Sequence, residues 1–302
     1  MPTVCAAWAS YWRTGGGECV KQNQLIVGGV KAKLGEFPHI AILGFQRGNE
    51  KIEWDCGGTL ISPHFVLTAA HCTQRSNEGQ YWVMLGEHDR DSNATMVPWP
   101  KILGPIPPSL FHSSELGKDS SGTAVIEQLL RVEEVIDHPE YNGYLTYYDI
   151  SLLRLSKPAE LTSRVLPACL PLKPDVVDSK ELTVAGWGRT SFGAHELSQV
   201  LLKVNVPVVS LLECQFRLFR HQDLFRAPKG IMVDQLCAGE KGRDSCKGDS
   251  GGPLIDQVSR GGSKCEHTVV GVVSFGRGCG DLGVYTRVYA YIDWITGYIA
   301  PN

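Results

Sequence analysis

Residues 248–253 read Gly248-Asp249-Ser250-Gly251-Gly252-Pro253, a serine set among glycines. Two other short strings give that serine a meaning: Thr68-Ala69-Ala70-His71-Cys72 and Tyr148-Asp149-Ile150-Ser151-Leu152-Leu153. In chain order they supply His, Asp and Ser, one of the orders in which a hydrolytic triad occurs. A serine hydroxyl is a poor nucleophile at neutral pH and needs a base within hydrogen-bond reach; imidazole has the matching proton affinity. The imidazole must keep one tautomer and tolerate a positive charge, and a buried carboxylate serves both needs. The strings therefore assign Ser250 as nucleophile, His71 as general base and then acid, and Asp149 as orienting carboxylate. A tetrahedral intermediate also needs backbone N–H donors for its oxyanion. Gly248 permits the tight conformation that aims its own N–H and that of Ser250 into one hole, and losing one such donor costs about 2.7–4 kcal/mol. Each string alone has a bland reading, since a histidine before a cysteine is usually structural and an aspartate before an apolar strand is often a turn residue. Three in the correct order, each with its flanks, are not coincidence.

Outward from these strings the chain breaks into short β-type runs between turn residues. They are His39–Gln46, Trp54–Ser62, Phe65–Ala69, Tyr81–Glu87, Ile150–Leu155, Leu182–Gly188, Val200–Val209, Thr268–Phe275 and Gly283–Val288. With 33 glycines and 17 prolines as punctuation, the pattern predicts antiparallel barrels or sandwiches. Two stretches read as helix. Leu211–His221 carries Leu212, Phe216 and Phe219 at helical spacing, and Tyr289–Ile299 carries Ile292, Ile295 and Ile299 as one apolar stripe expected to pack on a barrel. Residues 91–123 interrupt the pattern with five prolines and Ser/Gly-rich text, and contain the sequon Asn93-Ala94-Thr95, a glycosylation acceptor. This insertion reads as a substrate-recognition loop or an irregular splice product, the latter favoured.

Composition removes other classes. The net charge of −3 gives no global field for nucleic acid or an anionic membrane, and no apolar stretch approaches the roughly 20 residues of a membrane helix. Ten cysteines without zinc spacing point to disulfides in an oxidising compartment, hence to a secreted, extracellular protein. Secretion calls for a signal peptide, but residues 1–20 hold Arg13, three glycines and Glu18 and no continuous apolar segment. The expectation is a truncated or edited gene product.

The strings Ile26-Val27-Gly28-Gly29, Cys56-Gly57-Gly58, Gly186-Trp187-Gly188 and Gly283-Val284-Tyr285-Thr286-Arg287 complete a resemblance to the chymotrypsin-like (trypsin family) serine peptidases over residues 26–299. The resemblance implies an all-β fold: two antiparallel Greek-key six-stranded β-barrels with a C-terminal α-helix and the active site between the barrels. It divides the chain into a leader, 1–25, and a peptidase domain, 26–302. Cleavage of the Leu25–Ile26 bond would free an α-ammonium that pairs with Asp249 and orders the pocket, so the uncut chain is expected to be a zymogen. Gln24-Leu25 in place of Arg or Lys argues against self-activation and is similar to the class C clip-domain proteases of arthropod haemolymph, although their six-cysteine clip domain is absent.

Residue by residue, the resemblance places Asp244 on the floor of the primary pocket, where it would pair with a substrate Arg or Lys. Gly276 and Gly283 would form its walls, and Ser274-Phe275-Gly276 the edge that binds the substrate backbone, with Phe275 replacing the usual Trp. It implies disulfides Cys56–Cys72, Cys214–Cys237 and Cys246–Cys279, and a tether from Cys169 to Cys19 that leaves two linked chains in a monomer. Cys5 and Cys265 pair with each other, or Cys5 bonds another molecule. No cofactor is required; calcium is a candidate at Glu87 and Glu127, which match the ends of trypsin's calcium loop. Implied partners are protein substrates (zymogens or cytokine precursors of an immune, Toll- or melanisation-type cascade), an upstream activating protease and serpin-type inhibitors. The competing reading is a catalytically silent, protease-like adaptor.

Overall fold

Ile40-Ala41-Ile42-Leu43 is apolar at every position, although a strand with one wet face would alternate. The computed structural model, which describes residues 29–75, 78–90, 117–118, 124–125, 127–174, 181–189, 196–219, 225–259, 265–276 and 281–299, shows why. The strand is covered on both faces: Ala41 and Leu43 enter the core of one barrel, while Ile40 and Ile42 pack against a second.

Fifteen strands follow in chain order: β1 (Val30–Lys31), β2 (Ile40–Arg47), β3 (Glu53–Ser62), β4 (Phe65–Thr68), β5 (Gly79–Leu85), β6 (Gly117–Lys118), β7 (Ala124–Val125), β8 (Gln128–Asp137), β9 (Ser151–Leu155), β10 (Glu181–Gly186), β11 (Leu202–Val209), β12 (Gln235–Ala238), β13 (Pro253–Ser259), β14 (Cys265–Gly276) and β15 (Gly283–Arg287). The first barrel closes in the order β2-β3-β4-β9-β8-β5. The second runs β11-β10-β13-β14-β15-β12 and closes where Val208 and Val209 of β11 pair with Ala238 and Cys237. Every pairing in both is antiparallel, so the fold is the expected pair of six-stranded barrels. Strand β1 lies outside the barrel count, paired to β11 through Val30↔Lys203.

Burial sorts the side chains as the pattern requires. Leu60, Ile61, Val66, Leu67, Val83, Leu152 and Leu153 fill the first barrel, and Leu182, Val184, Val206, Leu254 and Tyr285 the second. Trp187, Leu201, Ile255 and Phe37 join Ile40 and Ile42 in the seam. The Tyr289–Ile299 segment forms a 3-10 turn (Val288–Tyr291) and then a helix (Ile292–Ile299), whose fully buried Ile295 belongs to the first-barrel core.

Three of the twelve barrel strands have no counterpart among the nine sequence runs. Strand β8 is broken by Glu133-Glu134, where the register slips at a bulge between Val132 and Glu134. Strand β12 has four residues, and β13 opens on a proline. The helix Leu211–Phe219 also departs from the reading. Of the expected stripe Leu212, Phe216 and Phe219, the first two face solvent and the side chain of Phe219 lies outside the described residues, while Cys214 and Leu218 are buried. The buried residues are the ones that meet Val284 and Leu282 behind the second barrel, so packing rather than amphipathic spacing chooses the face. The structure also pairs β6, within 91–123, with β7, which directly follows that segment. Cys5, Cys19, Leu25, Ile26, Asn93 and Cys279 lie outside the described residues, as does the side chain of Cys265.

Candidate active site

His71 follows β4 on a 3-10 turn, Ala70–Cys72, whose Cys72 is bonded to Cys56 of β3. The two sulfurs lie within 4.8 Å of an imidazole nitrogen, and because they are bonded to each other the trio offers no metal site. Asp149 precedes β9, and β9 pairs with β4, which brings the two residues together. Asp149 Oδ2 lies 2.8 Å from Nδ1 of His71, and Oδ1 accepts the His71 backbone N–H at 2.9 Å. One carboxylate oxygen thus holds the imidazole and the other the His71 backbone, leaving Nε2 as the ring nitrogen available to a third group. Asp149 is 4% exposed. Burial opposes its charge, but the hydrogen bonds and charge of His71 and the Ser274 hydroxyl outweigh it and hold the carboxyl below its ordinary value.

The second barrel reaches across to complete the site. Ser274 of β14 donates its hydroxyl to Asp149 Oδ2, and Thr286 of β15 donates to the Asp149 carbonyl at 2.7 Å. Ser250 lies on the turn before β13, and its carbonyl accepts the N–H of Gly57 at 2.7 Å, one residue from the Cys56–Cys72 bridge. Gly248 has φ +103° and Gly251 φ +75°, so the glycines around Ser250 answer to backbone conformation. A Cβ at Gly251 would also lie 2.7 Å from the Gly57 carbonyl. The N–H groups of Asp249, Gly251 and Gly252 bond the carbonyls of Cys246, Val273 and Asp249. Those of Gly248 and Ser250 make no backbone hydrogen bond among the described residues.

Asp244 lies behind this turn. Burial pushes its carboxyl up to about 7, against hydrogen bonds from Ser245. Ser245 N–H donates to Oδ1 at 2.7 Å, whereas Oδ2 is buried and has no hydrogen-bond partner among the described residues. Tyr285 donates to the Ser245 hydroxyl at 3.2 Å, bracing the floor. A Cβ at Gly283 would come within 2.7 Å of Asp244 Oδ1, and one at Gly276 within 2.9 Å of the Leu282 carbonyl. Asp249 turns away from Ser250, accepting N–H bonds from Gly188 at 2.8 Å and Cys246 at 2.9 Å. Burial raises its carboxyl to about 6, and among the described residues no cation faces it. Side chains at Gly186 or Gly188 would strike that carboxylate.

Residues 26–121 and 112–295 match the family described as Trypsin. This chain belongs to the trypsin family. As a member it is a serine-type endopeptidase domain. It is 35% identical over 290 residues to Serine protease snk of Drosophila melanogaster, 93% of this chain and 58% of that protein. It is 35% identical to Phenoloxidase-activating factor 3 of Holotrichia diomphalia, covering 92% of this chain and 74% of the relative. It is 36% identical to CLIP domain-containing serine protease HP8 of Bombyx mori, covering 91% and 70%. The chain therefore spans just over half the length of the first of these relatives.

The trypsin-family pairing Cys214–Cys237 is present, and Cys169 and Cys246 are each disulfide-bonded; their expected partners Cys19 and Cys279 lie outside the described residues. Glu87 lies near enough to Glu127 for its charge to act there. Burial first, and then the charge of Glu87, raises Glu127 to about 8, with Arg164 opposing. Neighbouring carboxylates offer the oxygen ligands that a hard cation such as Ca²⁺ takes. Residues that the sequence reading missed are those that act on others: Thr286 and Ser274 on Asp149, Ser245 and Tyr285 beneath Asp244. Ser274 was read only as substrate edge. None has a local signal, because each is an ordinary strand or turn residue until the barrels meet.

Proposed function

We propose that this chain is the zymogen of a secreted endopeptidase that cuts after Arg or Lys. The observation that supports the reading is the buried Asp244 carboxylate, whose Oδ2 has no hydrogen-bond partner among the described residues, beside Gly283, where a side chain would strike it. An unpaired buried acceptor is costly and invites a cation with donors, which a substrate guanidinium or ammonium supplies.

On this reading Asp149, His71 and Ser250 act in turn. Asp149 holds Nδ1–H of His71, so Nε2 takes the proton of Ser250 Oγ as that oxygen attacks the scissile carbonyl. The N–H groups of Gly248 and Ser250 receive the oxyanion. The imidazolium, stabilised by Asp149, then protonates the leaving amine, and water repeats the sequence to free the acyl group. Residues 1–25 serve as activation peptide and 26–302 as peptidase domain. Cleavage at Leu25–Ile26 supplies an ammonium for Asp249, which no cation faces among the described residues. Calcium at Glu87 and Glu127 would neutralise two like charges without entering the chemistry. Relatives named phenoloxidase-activating factors favour another zymogen as the natural substrate, within an extracellular cascade restrained by serpin-type inhibitors.

The test is to cut Leu25–Ile26 with an elastase- or chymotrypsin-like protease and offer Arg-, Lys-, Phe- and Ala-ending chromogenic peptides. Turnover of the basic peptides alone, lost in Ser250→Ala, supports the reading. A folded, cleaved protein without turnover would instead be a protease-like adaptor.

A further inference from the structure

Tyr148 has φ +56°, the one non-glycine at positive φ among the described residues, and it immediately precedes Asp149. A bulky aromatic residue rarely enters this left-handed region, and such strain persists only where surroundings over-determine it. The surroundings are specific. The Tyr148 ring stacks on His138, centroids 5.1 Å apart and planes 9° from parallel, and meets Tyr291 edge-on at 6.4 Å. The Glu140 carboxylate faces its hydroxyl and raises its pKa. His138 is itself flanked by Tyr291 and Trp294, each at 5.2 Å, and Tyr291 donates to Asp234 Oδ2 at 2.8 Å. The ring is thus clamped between the end of β8 and the C-terminal helix segment.

The backbone consequence falls on Asp149. The Tyr148 carbonyl accepts the Ile150 N–H at 2.8 Å, a three-residue turn with Asp149 at its apex. Ile150 in turn accepts the His138 N–H at 3.1 Å, so His138 grips both sides of the turn. We propose that Tyr148 is a positioning residue: its clamped ring holds the strained turn that aims the Asp149 carboxylate at His71. This rests on the triad reading above. The ring's own size does the work, because glycine would accept the same φ but leave nothing for His138 to hold.

The experiment uses the cleaved protein carrying Tyr148→Gly, Tyr148→Phe or His138→Ala. For Tyr148→Gly, kcat should fall at least about tenfold with KM within about twofold. The acid limb of kcat/KM should move to lower pH, because a loosened carboxylate stabilises the His71 imidazolium less. Tyr148→Phe keeps the stack and should stay within about threefold of the parent; His138→Ala should fall between the two. The groups facing this cluster are Glu140, Asp234 and Tyr141, and Tyr141, raised to about 12 by burial and then by Asp149, stays neutral throughout. A second readout needs no turnover: NMR titration of His71 in Ser250→Ala, where Tyr148→Gly should lower the imidazole pKa. Parent-like kcat and an unmoved His71 titration in Tyr148→Gly overturn the proposal, as does a Tyr148→Phe variant as slow as the glycine one. If Tyr148→Gly does not fold, His138→Ala decides by the same two readouts. A parent that binds but never turns over refutes the peptidase reading, while the NMR comparison still judges the turn.

Discussion

Nε2 of His39 lies 3.1 Å from Nδ1 of His267, and both rings are sealed from solvent. His39 leads into β2 of the first barrel; His267 sits on β14 of the second. Phe37 packs on His267 at 5.3 Å, and the N–H of Cys169 bonds the His267 carbonyl at 2.8 Å. The seam between barrels is therefore closed by two neutral imidazoles. Burial holds His39 well below its usual range, helped by His267, and takes His267 down to about 3, helped by Lys203.

This pair predicts an acid-sensitive seam. A histidine whose folded pKa is depressed contributes stability that is complete above its unfolded value and is lost as pH falls below it. For His267 the window runs from about 6.5 to about 3, at about 1.4 kcal/mol per pH unit. Asp244, Asp249 and Glu127, whose folded pKa values are raised, take up protons in the folded state over an overlapping range and act oppositely. The test is accordingly a difference: urea unfolding of Ser250→Ala with and without His267→Gln, at pH 7 and pH 5. The parent should lose roughly 2 kcal/mol relative to the variant on acidification; a constant gap would refute the assignment.

Asp244 predicts a pH-dependent primary pocket. With its empty-pocket carboxyl near 7, binding of benzamidine to the cleaved protein should be flat above that pH and weaken about tenfold per unit below it. Asp244→Ser should abolish this dependence and shift peptide preference from basic to apolar residues. Unchanged Arg preference in that variant would remove Asp244 from the pocket floor.

For activation, Asp249→Asn keeps the shape but cannot pair with a new ammonium. Since removing one partner of a buried ion pair typically costs about 3–5 kcal/mol, cleavage at residue 25 should raise turnover of this variant at least about a hundredfold less than in the parent. Burst titration of active sites after cleavage measures it directly, and equal activation of both proteins would exclude the pair.

The Glu87–Glu127 site predicts that millimolar Ca²⁺ raises the melting temperature by several degrees, with no such rise in Glu127→Gln. Because Glu127 titrates near 8, the calcium effect should shrink as pH falls from 8 to 6. Equal melting curves with calcium and with chelator would leave the two carboxylates to Arg164.

Much of this was legible in the chain itself. His71, Asp149 and Ser250 stand in short strings because each needs particular neighbours: a cysteine staple, a β-strand, glycines at positive φ. The nine apolar runs match nine observed strands because alternation and turn chemistry are local. Strand β8 escaped because a bulge breaks its alternation at Glu133-Glu134, and the outward face of Leu212 and Phe216 was misjudged because periodicity measures a stripe without saying what covers it.

Residue identity and spacing alone settled the family, the β-rich architecture and the groups able to do chemistry, since these depend on what each residue is and on its nearest neighbours. Only folding decided that Ser274 and Thr286 would reach Asp149 from the other barrel, that the Asp244 carboxylate would be buried, and that two histidines 228 positions apart would share one dry seam. Burial and long-range contact set those properties, and neither exists until both barrels close against each other.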